Sequence, residues 1–133
     1  MEVRRAHRLV RFRADYGSFK SAIIGQESGG RYGVQNAQGS GAMGIGQVMP
    51  ATAKVLAERI GLPFRPDLMG GTSPQAKQYQ DAITEAAAKE AWQAGGGNTR
   101  DAAMYYHGGS NRQVWGPKTR RYADEVLARI GGR

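Results

Sequence analysis

Apolar residues recur every three or four positions in six stretches of the chain, the spacing of a helix that buries one face. These stretches cover about residues 3–15, 19–28, 50–60, 74–94, 99–106 and 117–130. In the first, Val3, Leu9, Val10 and Phe12 are an apolar minority among arginines. Tyr16-Gly17-Ser18 breaks the pattern, and Ser18 is placed to cap the second helix. There Phe19, Ile23 and Glu27 fall four apart and share a face. Pro50 suits the first turn of the third helix, whose stripe is Ala53, Leu56, Ala57 and Ile60, closed by Gly61. Ser73-Pro74 opens the longest helix, with Ala76, Tyr79, Ile83, Ala86, Ala87 and Glu90 along one side and Trp92 as a core residue. Gly95-Gly96-Gly97 ends it, Thr99 caps the fifth helix, and Pro117 starts the last. In that last helix Tyr122, Ala123, Val126, Leu127 and Ile130 keep helical spacing up to Gly131. The expected class is all-α, with one domain over residues 1–133 that can equally be a piece of a larger protein.

Residues 29–47 break the rhythm. Gly29, Gly30, Gly33, Gly39, Gly41, Gly44 and Gly46 alternate there with Ser, Asn and Gln. A loop this long in a small domain is usually functional, and it has room for a short β-hairpin. The chain has 133 residues, of which 40% are hydrophobic, enough for one core. It has no cysteine, which excludes disulfides and a thiolate metal site. His7 and His107 lack metal-ligand spacing, so neither a metal nor a cofactor is expected. A net charge of +8 and a pI near 10.2 favour anionic partners such as nucleic acid, anionic membrane or an acidic wall polymer. Plain solubility explains the charge equally well. The first 16 residues contain no apolar core of a signal peptide, and none is expected. No run approaches the roughly 20 apolar residues of a membrane span.

Glu27 is the candidate for chemistry. It ends an apolar helix face with nothing basic in its own turn, and the next acid is Glu58. Burial would disfavour its carboxylate and raise its pKa. An acid protonated near neutral pH can donate a proton to a leaving group. After Glu27-Ser28-Gly29-Gly30 comes Gly41-Ala42-Met43-Gly44-Ile45-Gly46-Gln47-Val48-Met49-Pro50. Its glycines let backbone approach a bulky ligand. Gln47 offers a donor and acceptors suited to sugar acetamido and hydroxyl groups, and Met49 can fill an irregular wall. On local physics alone, a frayed helix end followed by a mobile linker is the favoured account.

The same segment resembles the catalytic motif of the soluble lytic transglycosylases. The shared pattern is Glu-Ser, a polar loop, then Gly-Ala-x-Gly-Ile-x-Gln-Val-Met-Pro-x-Thr, which runs here from Gly41 to Thr52. Resemblance resumes at Ala103-Met104-Tyr105-Tyr106-His107-Gly108-Gly109 and at Lys118-Thr119-Arg120-Arg121-Tyr122-Ala123-Asp124-Glu125-Val126. The chain departs from the pattern in five places. The loop before Gly41 is about two residues longer than usual. Asn36 is the nearest counterpart of a serine that assists the acid in the family. His107 stands where Asn is usual, and Lys118 where Glu is usual. The segment 61–98 matches only weakly. The variant looks like domains carried by phage virion proteins, which accounts for the missing signal peptide by delivery within a virion or a larger secreted protein.

The resemblance implies a lysozyme-like α fold acting on peptidoglycan glycan strands in the bacterial wall. It implies Glu27 as the sole acid and base, Tyr122 near the acid with a hydroxyl able to hydrogen-bond it, and a sugar groove lined by Gln47, Met49 and Tyr106, with Tyr122 and Asn36 counted among the substrate-binding residues. Nucleic acid is the lesser expectation, and the isolated domain is expected to be a monomer. Most glycosidases use two carboxylates. One suffices if the C6 hydroxyl of N-acetylmuramic acid attacks its own C1, giving a 1,6-anhydro product. Two rivals stand beside this reading: a hydrolytic goose-type-like lysozyme with a distant Asp that positions water, and a noncatalytic basic module that binds wall or nucleic acid. Trp115 suits stacking on a sugar and simple packing equally, and His107 suits a helix cap or a sugar contact.

Overall fold

The computed structural model describes residues 14–36 and 39–131. Among these, six α-helices and one 3-10 turn carry the fold: α1 Tyr16–Ser28, α2 Pro50–Arg59, α3 Pro66–Met69, α4 Pro74–Gly95, α5 Thr99–Gly108, the 3-10 turn Arg112–Val114, and α6 Pro117–Gly131. The all-α expectation holds. The expected helix over about 3–15 lies outside the described residues except for Ala14 and Asp15, which are not helical. Where a hairpin had room to form, there are two isolated antiparallel bridges, Gln35 with Met43 and Met43 with Val48, and no strand among the described residues. The four-residue helix α3 had no periodic signal, because one turn is too short to show a period.

Contacts divide the chain into two units. One comprises residues up to Ile23 together with Lys89 onward; the other runs from Ile24 to Ala88. In the first unit Phe19 and Ile23 are fully buried. The Trp92 ring lies 5.2 Å from Phe19 and 6.1 Å from Tyr16. Trp92 is thus half-buried in an aromatic cluster rather than fully enclosed. Helix α5 buries only small residues, Thr99, Ala102 and Ala103. They let it lie close to α6, which buries Thr119, Tyr122, Ala123 and Val126.

The second unit has a compact apolar core. Val48, Ala53, Leu56, Ala57, Leu68, Met69, Ala76, Tyr79 and Ile83 form it, with Met43, Leu62 and Phe64 packed against it. Burying a side chain such as Leu56 or Ile83 contributes about 1.5–3 kcal/mol each. The Tyr79 hydroxyl serves the core edge twice, donating to the Pro63 carbonyl at 2.8 Å and accepting from the Arg65 amide at 2.9 Å. Ile60 was expected on the buried stripe of α2 but is exposed, because the helix has ended and Ile60 is its C-cap.

Two caps differ from expectation for one physical reason. The orphan amides of a helix take whichever side-chain oxygen is in reach. Asp15, not Ser18, caps α1: its carboxylate accepts from the Ser18 amide at 2.7 Å, which holds its pKa below the ordinary carboxylate value. Asn98, not Thr99, caps α5 by accepting from the Asp101 amide at 2.9 Å. The Ser73 cap on α4 is as expected, with its hydroxyl accepting from Ala76. No helix among the described residues is long and apolar enough to cross a membrane.

Candidate active site

Glu27 is the penultimate residue of α1 and is half-buried. The helix end around it is fastened rather than frayed. Ser28, 3% exposed, donates from its hydroxyl to the Ile45 carbonyl at 2.7 Å and accepts from the Gly30 amide at 3.1 Å. Arg31 Nε donates to the Ser28 carbonyl at 2.9 Å and caps the helix terminus. The Ser28–Ile45 bond joins the residue beside Glu27 to the segment that carries Gln47 and Met49.

That segment is a tight turn. The Met43 and Val48 backbones exchange hydrogen bonds of 3.2 and 3.1 Å, and the Gly44 amide donates to Val34 at 2.9 Å. Gln47 is the one non-glycine residue at positive φ among the described residues, at 50°. Its amide holds it there, with Nε2 donating to the Val34 carbonyl at 2.8 Å and to the Gly44 carbonyl at 3.0 Å. Both Gln47 donors are therefore spent on the loop, and Oε1 is what it can offer to a ligand. Met49 is exposed and forms the N-cap position of α2. Asn36 is half-buried; its amide donates to the Ala42 carbonyl and its carbonyl accepts from Gly39, both at 3.1 Å.

Tyr106 and Tyr122 belong to the other unit, on α5 and α6. Tyr122 is 7% exposed, and its ring lies 4.7 Å from that of His107. His107 Nδ1 is 3.0 Å from Thr119 Oγ1. Desolvation, and then the Lys118 charge, hold its pKa below the ordinary histidine value, so the neutral ring is favoured. Tyr106 is half-buried. Tyr105 donates to Glu90 at 2.8 Å. Trp115 is packed within its own unit: Nε1 donates to the Gly109 carbonyl at 3.0 Å, and the Arg112 guanidinium lies 4.8 Å from its ring. A side chain on Gly108 would come within 2.5 Å of the indole, so Gly108 is there to let it close.

Sequence reasoning missed Gln80. This residue is fully buried in the middle of α4. Its Oε1 accepts from the Gly33 amide at 2.9 Å and the Ile45 amide at 3.1 Å. Its Nε2 donates to the Leu68 and Gly71 carbonyls, both at 2.8 Å. The signal was present: Ala76, Gln80, Thr84 and Ala88 form one four-residue row on α4, and all are buried. A polar side chain on a buried row must find partners. Tyr32 was missed as well; it ties the same loop to α4 by donating to Asp81 at 2.9 Å, with Lys77 over its ring.

A carboxyl group thus stands at a fastened helix end, followed by a glycine turn of fixed geometry. The transglycosylase SLT domain family model matches residues 17–126. The chain therefore belongs to the transglycosylase SLT domain family, whose fold is lysozyme-like and all-α. A curated relative from Enterobacteria phage PRD1, described as "Transglycosylase", is 30% identical over 110 residues. The match covers 83% of this chain and 36% of the relative, so the chain spans about a third of that protein's length. No solved structure matches.

Proposed function

We propose that the chain is a single lysozyme-like catalytic domain that cleaves the β-1,4 bond between N-acetylmuramic acid and N-acetylglucosamine, with Glu27 as acid and then base. Protonated Glu27 donates to the glycosidic oxygen as the bond from muramic C1 breaks. The N-acetyl carbonyl stabilises the cationic carbon. The muramic C6 hydroxyl then attacks C1 while the Glu27 carboxylate takes its proton. The product is a 1,6-anhydro sugar, and water is not a reactant. The proposal asks Phe19 and Ile23, which share the helix face of Glu27, to provide the apolar surroundings that keep it protonated. Gln47 Oε1, Met49, Asn36, Tyr106 and Tyr122 are the proposed sugar contacts. The domain works as a monomer on the wall, brought there within a phage virion or a larger protein.

The observation that carries this reading is the placing of Glu27 beside Ser28, whose hydroxyl is bonded to Ile45 inside the family's Gly-Ala-x-Gly-Ile-x-Gln segment. The test is digestion of purified peptidoglycan followed by mass spectrometry of the released fragments. Anhydro ends are expected from the native protein. Glu27→Gln should lose about 10²–10⁴-fold in rate, the usual worth of general acid–base catalysis. Reducing ends carrying added water would replace this mechanism with hydrolysis. Wild-type lysis by Glu27→Gln would remove Glu27 from the site.

A further inference from the structure

We propose that Gln80 is a positioning residue for Glu27, acting through the backbone of Ile45. The inference rests on the reading of Glu27 as the catalytic acid. The Ile45 residue is held from both sides. Its carbonyl accepts from Ser28, the residue after Glu27, and its amide donates to Gln80. The same Gln80 oxygen accepts from Gly33, on the outgoing side of the loop that begins at Glu27. One buried side chain thus fixes both the departure of the chain from the acid helix and its return beside that helix.

The geometry leaves Gln80 little freedom. Both Nε2 hydrogens are used on Leu68 and Gly71, so the amide cannot rotate without breaking four bonds. A side chain on Gly44 would meet the Gln80 side chain at 3.1–3.3 Å, and Gly44 has φ of +85°, so the turn approaches Gln80 closely only because this residue is glycine. An amide is the side chain that suits this place, since it alone pairs two donors with two acceptor sites in one plane. Gln80 lies outside the Glu27–Pro50 motif and in the segment of weakest resemblance. A misplacement of about 1 Å far from the reacting atoms can cost 10²-fold in rate.

The experiment compares Gln80→Met and Gln80→Glu with the native protein on soluble uncrosslinked glycan strands, alongside circular dichroism to establish that each is folded. Methionine keeps the volume and removes all four bonds. Glutamate keeps the acceptors and removes both donors to Leu68 and Gly71 when ionised. The expected result in the folded variants is kcat lower by about 10–100-fold with KM within about twofold, and a partial recovery of Gln80→Glu relative to native as the pH falls and its carboxyl regains a donor hydrogen. A merely structural role would lower the melting temperature and leave kcat per folded molecule unchanged, and that result overturns the proposal. A measurement on the native protein needs no variant: the Gly33 and Ile45 amides should exchange hydrogen as slowly as that of Ile83, and exchange at the rate of exposed loop amides also overturns it. Full activity of Glu27→Gln would instead defeat the catalytic reading, while the exchange result would still report whether the clamp exists.

Discussion

The glycine loop after Glu27 and the corner between α5 and α6 are both irregular backbone, but they are held by opposite means. The loop hangs on neutral hydrogen bonds to side chains removed from water, Gln80 and Ser28. The corner hangs on exposed groups: Arg112 paired with Asp101 and donating to the Ala94 carbonyl, Arg100 paired with Asp124, and Trp115 donating to Gly109. A buried amide that loses its partners has no water to turn to, so its network is costly to break. A surface ion pair exchanges one well-solvated state for another. The segment that carries the proposed site is the one held from inside.

The strongest challenge to this contrast is Gln80→Leu. Four backbone groups lose their partner, the buried ones at Ile45 and Leu68 at about 1–3 kcal/mol each and the half-buried ones at Gly33 and Gly71 at less. Urea unfolding should show a loss of at least about 3 kcal/mol; a loss under about 1 kcal/mol would mean that the loop is not held this way. Thr84 sharpens the point from the other side. It lies one turn after Gln80, is 1% exposed, and its hydroxyl has no hydrogen-bond partner among the described residues. Thr84→Val should therefore stabilise by about 1 kcal/mol, seen as a higher denaturation midpoint with unchanged slope. The corner should respond less. A double-mutant cycle on Arg112 and Asp101 should give a coupling under about 1 kcal/mol, falling further in high salt. A coupling as large as the Gln80 loss would erase the contrast.

The smallest effect is that of pH on the corner. His107 has a folded pKa below its ordinary value, so as pH falls the unfolded chain takes up the proton first. Stability is then fully present above the ordinary histidine pKa and declines as pH falls toward the lowered folded value. The slope of unfolding free energy against pH in that window should amount to less than one proton and should flatten in His107→Asn. The Asp15 cap acts in the same direction at lower pH: its lowered pKa means that its stabilisation is lost as pH falls through the folded value.

Much of the fold was legible because helices write their period into the chain. The stripes Ala53-Leu56-Ala57, Ala76-Tyr79-Ile83 and Tyr122-Ala123-Val126 are buried as the spacing predicts. The chain's membership of the transglycosylase family was legible too, since the Glu27–Pro50 motif is long and contiguous. Caps were less so, because Asp15 and Ser18, or Asn98 and Thr99, compete for the same amides and only the backbone geometry chooses.

By itself the sequence determined the five longer described helices, the acid at the end of one, and the glycine turn that follows it, because each is written in neighbouring residues. Only the tertiary structure decided what holds that turn. The bonds from Gln80 to Gly33 and Ile45 cross 47 and 35 residues, and the Ser28 bond to Ile45 crosses 17. Such bonds leave no local period. They exist because a buried polar group must find its partners wherever the chain brings them.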